Sequence, residues 1–235
     1  MVTKGVEIME KDFLKNILIE TIKNIFNIVI TNNIFKYLGI LVVIAVIIKI
    51  FKPKIKGYIG EKTINFMLKK LPEDYKIMND IFIKNDGWSS QIDHIIVSKF
   101  GIFVIETKTY KGWIYGNEKQ KQWTQNLYGK KYYFQNPLHQ NYGHIQNLKK
   151  IKGLEEIDFI SLILFSGEAT LKNEINNVIY FSKVRKWISN YQEIIYNDKQ
   201  VDFIYNTILN NNIVDKKARN EHINNIKIKK GSAKL

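Results

Sequence analysis

Residues 91–108, QIDHIIVSKFGIFVIETK, hold two runs of Ile, Val and Phe joined by Lys99-Phe100-Gly101. β-Branched and aromatic residues on both sides of so short a connection predict an antiparallel hairpin buried in a core. Three charged side chains interrupt it: Asp93 in the first run, Glu106 and Lys108 in the second. Residues i and i+2 of a strand share a face, so Glu106 and Lys108 project together while Thr107 points away. Folding about Phe100 brings position 93 opposite roughly 106 to 107, where two carboxylates and one ammonium can meet.

Apolar surroundings make that meeting expensive. Each uncompensated buried carboxylate costs on the order of several kcal/mol, which a cation would offset, and hard oxygen ligands suit Mg²⁺ or Mn²⁺. Lys108 beside such an ion could orient a water or offset charge on a phosphoryl group. The plainer alternative is an Asp93–Lys108 salt bridge with Glu106 facing solvent. Asp followed by Glu-x-Lys is weak by itself, and its context strengthens it.

GEKTINFMLKKL, residues 60–71, spaces Ile64, Met67, Leu68 and Leu71 along one helical face and starts with an acid, Glu61; Pro72 stops it. Strands are expected at 75–83, 91–99 and 101–108 as an antiparallel meander, continued by short extended pieces around Trp113–Tyr115, Trp123 and Lys131–Phe134. Asn136-Pro137 opens a helix carrying Leu138, Ile145 and Leu148. DFISLILFS (158–166) suits a strand covered on both faces, VIYFS (178–182) a further strand, and KVRKWISNYQEII and VDFIYNTILNN have helical spacing. Gly57, Gly60 and Gly101 read as turn glycines. His94 falls on the strand face opposite Asp93, in a packing or hydrogen-bonding role, and His139 and His144 are spaced wrongly for a helical metal pair.

Before this domain lies an apolar run, Ile34 to Phe51 (IFKYLGILVVIAVIIKIF), whose 18 residues would span about 27 Å as a helix against a hydrocarbon layer of roughly 30 Å. It reads as one transmembrane helix. Lys49, Lys52, Lys54 and Lys56 follow it without an acid, while the residues before it are balanced, so the positive-inside rule places the later part in the cytoplasm. A stripe of Leu14, Ile17, Leu18, Ile22, Ile25, Phe26 and Val29 suits an amphipathic helix at an interface or against another subunit. The expected organisation is an amphipathic segment (1–33), a membrane helix (34–51), a basic linker (52–56), an α/β domain (57–212) and a basic, disordered tail (213–235).

The helix with an early Glu, then Asp, then Glu-x-Lys on the next strand resembles the core of the PD-(D/E)xK nuclease superfamily. GEKTINFMLKKLP, QIDHIIVSKFGIFVIETKTYKGWIYG, QW and NPLHQNYGHIQNLKKI are similar, in order and spacing, to the nuclease-related domain (NERD) family over roughly residues 57 to 212. Ile92-Asp93 stands where the superfamily has its nominal Pro-Asp. The resemblance implies a restriction-endonuclease-like α/β core, a central mixed sheet flanked by helices. It also implies Asp93 and Glu106 as metal-binding carboxylates, Lys108 as the catalytic lysine, Glu61 as the helix-borne acid and Gln140 as a residue facing the same cleft.

The chain carries a net charge of +14. Residues 111–152 hold eight lysines against Glu118 alone, interleaved with aromatics. Lys111, Lys119, Lys121, Lys130, Lys131 and Trp123 are thus candidates for a nucleic-acid groove in which ammonium groups meet phosphates and rings stack on bases. Arg185 and Arg219 are the only arginines, which disfavours sequence-specific base readout. No cysteine is present, excluding disulfides, thiolate zinc sites and cysteine nucleophiles. No phosphate-binding glycine motif supports NTP chemistry.

The expectation is a membrane-anchored, Mg²⁺- or Mn²⁺-dependent nuclease acting on nucleic acid, DNA ahead of RNA. The alternatives are a catalytically silent nucleic-acid-binding or signalling module tethered to the membrane, and a membrane scaffold that binds protein.

Overall fold

The computed structural model describes residues 16–24, 27, 33–85 and 88–215. The chain divides into two compact units, Met1–Ile55 and Lys56–Leu235.

In the first unit, residues 16–24 form helix α1, on which Ile17, Leu18 and Ile22 are exposed. Leu14, Ile25, Phe26 and Val29 of the expected amphipathic stripe lie outside the described residues. Helix α2, Asn33–Leu68, begins in this unit and ends in the second. Its described apolar side chains in the first unit are exposed, Leu41 at 62% and Ile48 at 59%, and among the described residues of that unit none is buried. Among the described residues no helix is long and apolar enough to cross a membrane. The continuous run of described side chains is Phe35 to Lys49, whereas the expected span also takes in Ile34, Ile50 and Phe51. The linker expected at 52–56 is helical backbone within α2.

The second unit is a mixed α/β fold with two sheets. Strands β1 (Lys76–Asn85), β2 (Trp88–Ser98) and β3 (Gly101–Lys108) form the antiparallel meander read from the sequence. β7 (Phe159–Phe165) and β9 (Val178–Tyr180) extend it in parallel, giving the order β1-β2-β3-β7-β9. The β2–β3 hairpin pairs Ser98 with Gly101 across Lys99-Phe100. Ser98 Oγ accepts from the Phe100 amide at 3.2 Å and donates to the Gly101 carbonyl at 3.0 Å. Gly101 has φ +152°, and a Cβ there would lie 2.7 Å from the Ile160 side chain.

Helix α3 (Pro137–Leu148) starts as its sequence dictates: Pro137 occupies the first turn and the Asn136 side chain accepts from the Leu138 amide at 2.9 Å. It covers one face of the sheet together with α5 (Asp198–Asn210), in a core that includes Ile95, Val97, Ile102, Val104, Leu148 and Ile204. The last turns of α2 cover the other face, where Ile64 and Leu68 meet Ile96, Phe103 and Ile105. α4 is only Val184–Ile188, so KVRKWISNYQEII is helical for a single short stretch.

The pieces expected to prolong the meander instead build a separate sheet. β4 (Gly112–Tyr115), β5 (Gln122–Leu127), β6 (Lys130–Gln135) and β8 (Ala169–Leu171) run in the order β6-β5-β4-β8. Its inner face closes a third core in which Ile114, Trp123 and Ala169 pack with Ile163, Phe165 and Val178. Ile114 and Trp123 are the apolar members on one face of β4 and β5, and they turn that face of the sheet inward.

Gly116 marks a tight point of this sheet: a Cβ there would fall 2.2 Å from the ring of buried Trp123. Gly116→Ala should therefore destabilise the domain by roughly 1–3 kcal/mol through overpacking, read as a lowered urea midpoint with unchanged slope.

Candidate active site

The interior strand β3 presents Glu106 and Lys108 from one face, as the strand period requires. Glu106 is 3% exposed and would be a costly isolated charge. Lys108 compensates it, donating directly to Glu106 Oε1 and, at 2.9 Å, to Gln140 Oε1. Gln140 and His144 lie one turn apart on α3 and face the strand together. His144 Nε2 is 3.3 Å from Glu106 Oε2 and 3.5 Å from Gln140 Nε2. The His144 ring nitrogen is the polar neighbour of Glu106 Oε2, a buried oxygen that meets no donor at strict hydrogen-bond geometry. Burial pushes the Glu106 carboxyl up, and Lys108 with His144 more than offsets this, holding it below the usual carboxylate range.

Asp93 is attached differently. Its Oδ2 accepts from the Thr107 amide at 2.7 Å and from the Thr107 hydroxyl at 2.6 Å, so the residue between Glu106 and Lys108 in sequence is the clamp on the second carboxylate. Among the described residues Asp93 forms no salt bridge, so the plain Asp93–Lys108 pair is not the arrangement found. Burial, and then the negative charge of Glu106, push its pKa up to about 7 despite the two Thr107 bonds.

A local break in β1 and β2 determines what Asp93 faces. Asn79 pairs with His94 and Ile81 with Ile92, and at the intervening position Asp80 has φ +53°. Met78 and Ile81 enter the same core although three residues apart, as do Ile92 and Ile95, so the two-residue alternation fails on both strands at one rung. Consequently Asp93 and His94 line one cavity of about 230 Å³ with Glu61, Asn79 and Asp80. The expectation that His94 faces away from Asp93 is corrected by this break. His94 does take the expected hydrogen-bonding role, with Nδ1 2.7 Å from Asn79 Oδ1, and burial drives its pKa down to about 4.

Glu61 reaches this cavity from α2. Partial burial, then the charges of Asp80 and Glu106, raise its pKa. Gly60 is not a turn glycine: it is helical and buried, and a Cβ there would fall 2.2 Å from Thr109 Cγ2. That close approach sets α2, and hence Glu61, against the end of β3.

The structure thus brings Glu106, Lys108 and Gln140 into contact, joins Asp93 to them through Thr107, and has Glu61 and Asp93 line one cavity. His144 was missed; its signal was the four-residue spacing from Gln140 rather than the five-residue spacing from His139. Lys111, Lys119, Lys121, Lys130 and Lys131 are exposed. Trp123 is not available for stacking on bases: it is 2% exposed, and its indole N–H donates to the Asn117 carbonyl at 2.9 Å.

The carboxylate chemistry fits a hard divalent cation: Glu106 keeps a buried oxygen without a hydrogen bond, and the pKa values of Asp93 and Glu61 are raised by burial first and then by neighbouring negative charge. Among the described residues no three His, Asp or Glu side chains are already gathered as a metal cage. Lys108 supplies the local positive charge instead.

An acid whose pKa is higher folded than unfolded stabilises the fold below its unfolded value, and the contribution is lost as pH rises through the folded value. For Asp93 the loss runs from about pH 4 to about pH 7. Asp93→Asn, which keeps an acceptor for Thr107, should match the wild type at pH 4 and exceed it by roughly 2–4 kcal/mol at pH 8 without metal, measured by urea unfolding in chelator.

The model of the nuclease-related domain family matches residues 56–166, which contain every one of these groups. The general kind of this domain is the PD-(D/E)xK superfamily, whose members generally use divalent metals. An uncharacterized protein of Bacillus anthracis is 37% identical over 193 residues, covering 79% of this chain and 91% of that protein. With the helix-borne acid, the Asp and the Glu-x-Lys all within the matched segment, the chain belongs to the nuclease-related domain (NERD) family.

Proposed function

We propose that the protein is a metal-dependent nuclease that hydrolyses phosphodiester bonds of nucleic acid, DNA ahead of RNA. The observation that carries this reading is the buried Glu106–Lys108–Gln140 contact beside Asp93. A purely structural ion pair does not need a second, protonatable carboxylate next to it, and that carboxylate, Asp93, lines a cavity with Glu61.

Asp93 and Glu106 would hold Mg²⁺ or Mn²⁺, which when bound supplies Lewis-acid stabilisation of charge on the scissile phosphate. Thr107 fixes Asp93 through two bonds to one oxygen, so the carboxylate is oriented before any ligand arrives. Gln140 holds the Lys108 ammonium at the mouth of the site, where it can orient a water or donate to a phosphate oxygen as charge develops. His144, 3.3 Å from Glu106 Oε2, joins Lys108 in keeping the carboxylate ionised. Glu61, which lines the cavity with Asp93 and has its pKa raised by burial and then by the charges of Asp80 and Glu106, is the further carboxyl that can exchange a proton with water there.

The second reading, a silent nucleic-acid-binding module, draws on the absence of a ready three-ligand cage among the described residues. Cleavage of labelled single- and double-stranded DNA and RNA in Mg²⁺, Mn²⁺ or EDTA separates the two. Nuclease chemistry predicts metal-dependent cleavage that falls about 10²- to 10⁴-fold in Lys108→Ala and Asp93→Ala. Equal inactivity of wild type and variants, with nucleic-acid binding intact, would instead support the binding module.

We also propose that residues 34–51 span a bilayer with the nuclease-related domain on the cytoplasmic side. The run's described apolar side chains are exposed, and Lys49 near its end, with Lys52, Lys54 and Lys56 beyond it, is accompanied by no acid. The full chain should float with membranes after an alkaline carbonate wash, and a chain beginning at residue 56 should not; release of the full chain by carbonate would contradict the span.

A further inference from the structure

The second sheet has an outer face that the hydrolytic site does not use. Strand register determines its members, because directly paired residues share a face. Trp113 pairs with Asn126 and Asn126 with Lys131; Tyr115 pairs with Thr124 and Thr124 with Tyr133. Trp113 also pairs with Thr170 on the other side. One surface therefore carries Trp113, Tyr115 and Tyr133 at 49%, 38% and 66% exposure, interleaved with Lys131, Thr and Asn. The opposite surface is anchored by Ile114 and Trp123 in the third core. The rings thus stand on a rigid platform.

Charge on this platform has one sign. Strands β4, β5, β6 and β8 contain no Asp or Glu. Lys172 lies 4.3 Å above the Trp113 ring, adding a second ammonium beside an aromatic face. Glu168 at one edge lines a cavity of about 580 Å³ together with Lys111, Trp113 and Tyr128. Trp113 follows Lys108 by five residues, which limits their Cα separation to about 18 Å.

We infer that this face is the docking platform for a single strand of nucleic acid, whose bases stack on Trp113, Tyr115 and Tyr133 while Lys131 and Lys172 meet its phosphates. Flat rings alternating with ammonium groups complement a polyanion with exposed bases; a paired duplex offers only its backbone to such a surface. Because Trp113 lies within about 18 Å of Lys108 along the chain, a strand seated here is only a few nucleotides in length from the hydrolytic site. The inference deepens the nuclease reading by assigning its substrate class, and it holds equally for a domain that binds without cutting.

The test is fluorescence anisotropy with labelled 20-nucleotide oligodeoxythymidine, oligouridine and a duplex of the same length, using the full chain in EDTA so that nothing is cut. Trp113→Ala and Tyr133→Ala are compared with the wild type and with Trp113→Phe. Both rings are largely exposed, so the variants should fold, and unchanged melting temperatures would show it. The expected result is a rise in Kd for the single strands of about five- to a hundredfold in each alanine variant, with Trp113→Phe close to wild type and duplex binding unchanged. A Kd within twofold of wild type in both alanine variants, or tighter wild-type binding to duplex than to either strand, overturns the platform.

Metal-dependent hydrolysis of bis(p-nitrophenyl) phosphate, too small to reach the sheet, keeps the two claims apart. Loss of strand binding with no hydrolysis retains the platform and removes the nuclease. Hydrolysis equal in all variants with strand binding unaltered does the reverse.

Discussion

The site depends on a charge that cannot leave. Glu106 sits on an interior strand at 3% exposure, where an isolated carboxylate would cost more than most single side chains contribute to a fold. Everything around it answers that cost. Lys108, two residues along the same strand, brings the counter-charge; Gln140 holds the ammonium; His144 covers the far side. β3 is paired with β2 as far as Ile105 and with β7 through Lys108, so the backbone that carries both charges is held within the sheet.

The second carboxylate is positioned by the same strand pair. Thr107 holds Asp93 with its amide and its hydroxyl, so the residue separating Glu106 from Lys108 ties the hairpin's polar end together. The kinked rung at Asp80 turns Asp93 and His94 into one cavity, where α2, admitted by Gly60, delivers Glu61. Burial and mutual repulsion leave these acids with raised pKa values, the electrostatic state of a site built to receive positive charge.

Much of this was legible in the sequence because its signals are local. Two β-branched runs around Lys99-Phe100-Gly101 give the hairpin and its register, and the register puts Asp93 beside Glu106. Asn136-Pro137 gives the start of α3 and so the placement of Gln140. What escaped depends on partners distant in sequence. The assignment of Trp113–Tyr115, Trp123 and Lys131–Phe134 to a second sheet is decided by β8, a three-residue strand some fifty positions later than β4, too short to show periodicity. The kink at Asp80 has no glycine or proline to announce it. Trp123 looked like a stacking residue by composition, and only its position on the inward face of β5 makes it core. Gly60 looked like a turn residue, and only the approach of Thr109 explains it.

The central claim is that Asp93 and Glu106 act together as the seat of a divalent cation in a hydrolytic site. Its most direct test is titration of the protein with Mn²⁺ at neutral pH, following free Mn²⁺ by electron paramagnetic resonance, for the wild type, Asp93→Asn and Glu106→Gln. The account predicts saturable binding in the wild type that disappears in both variants. Mn²⁺ binding that persists unchanged in both, or no saturable binding by the folded wild type, would contradict it.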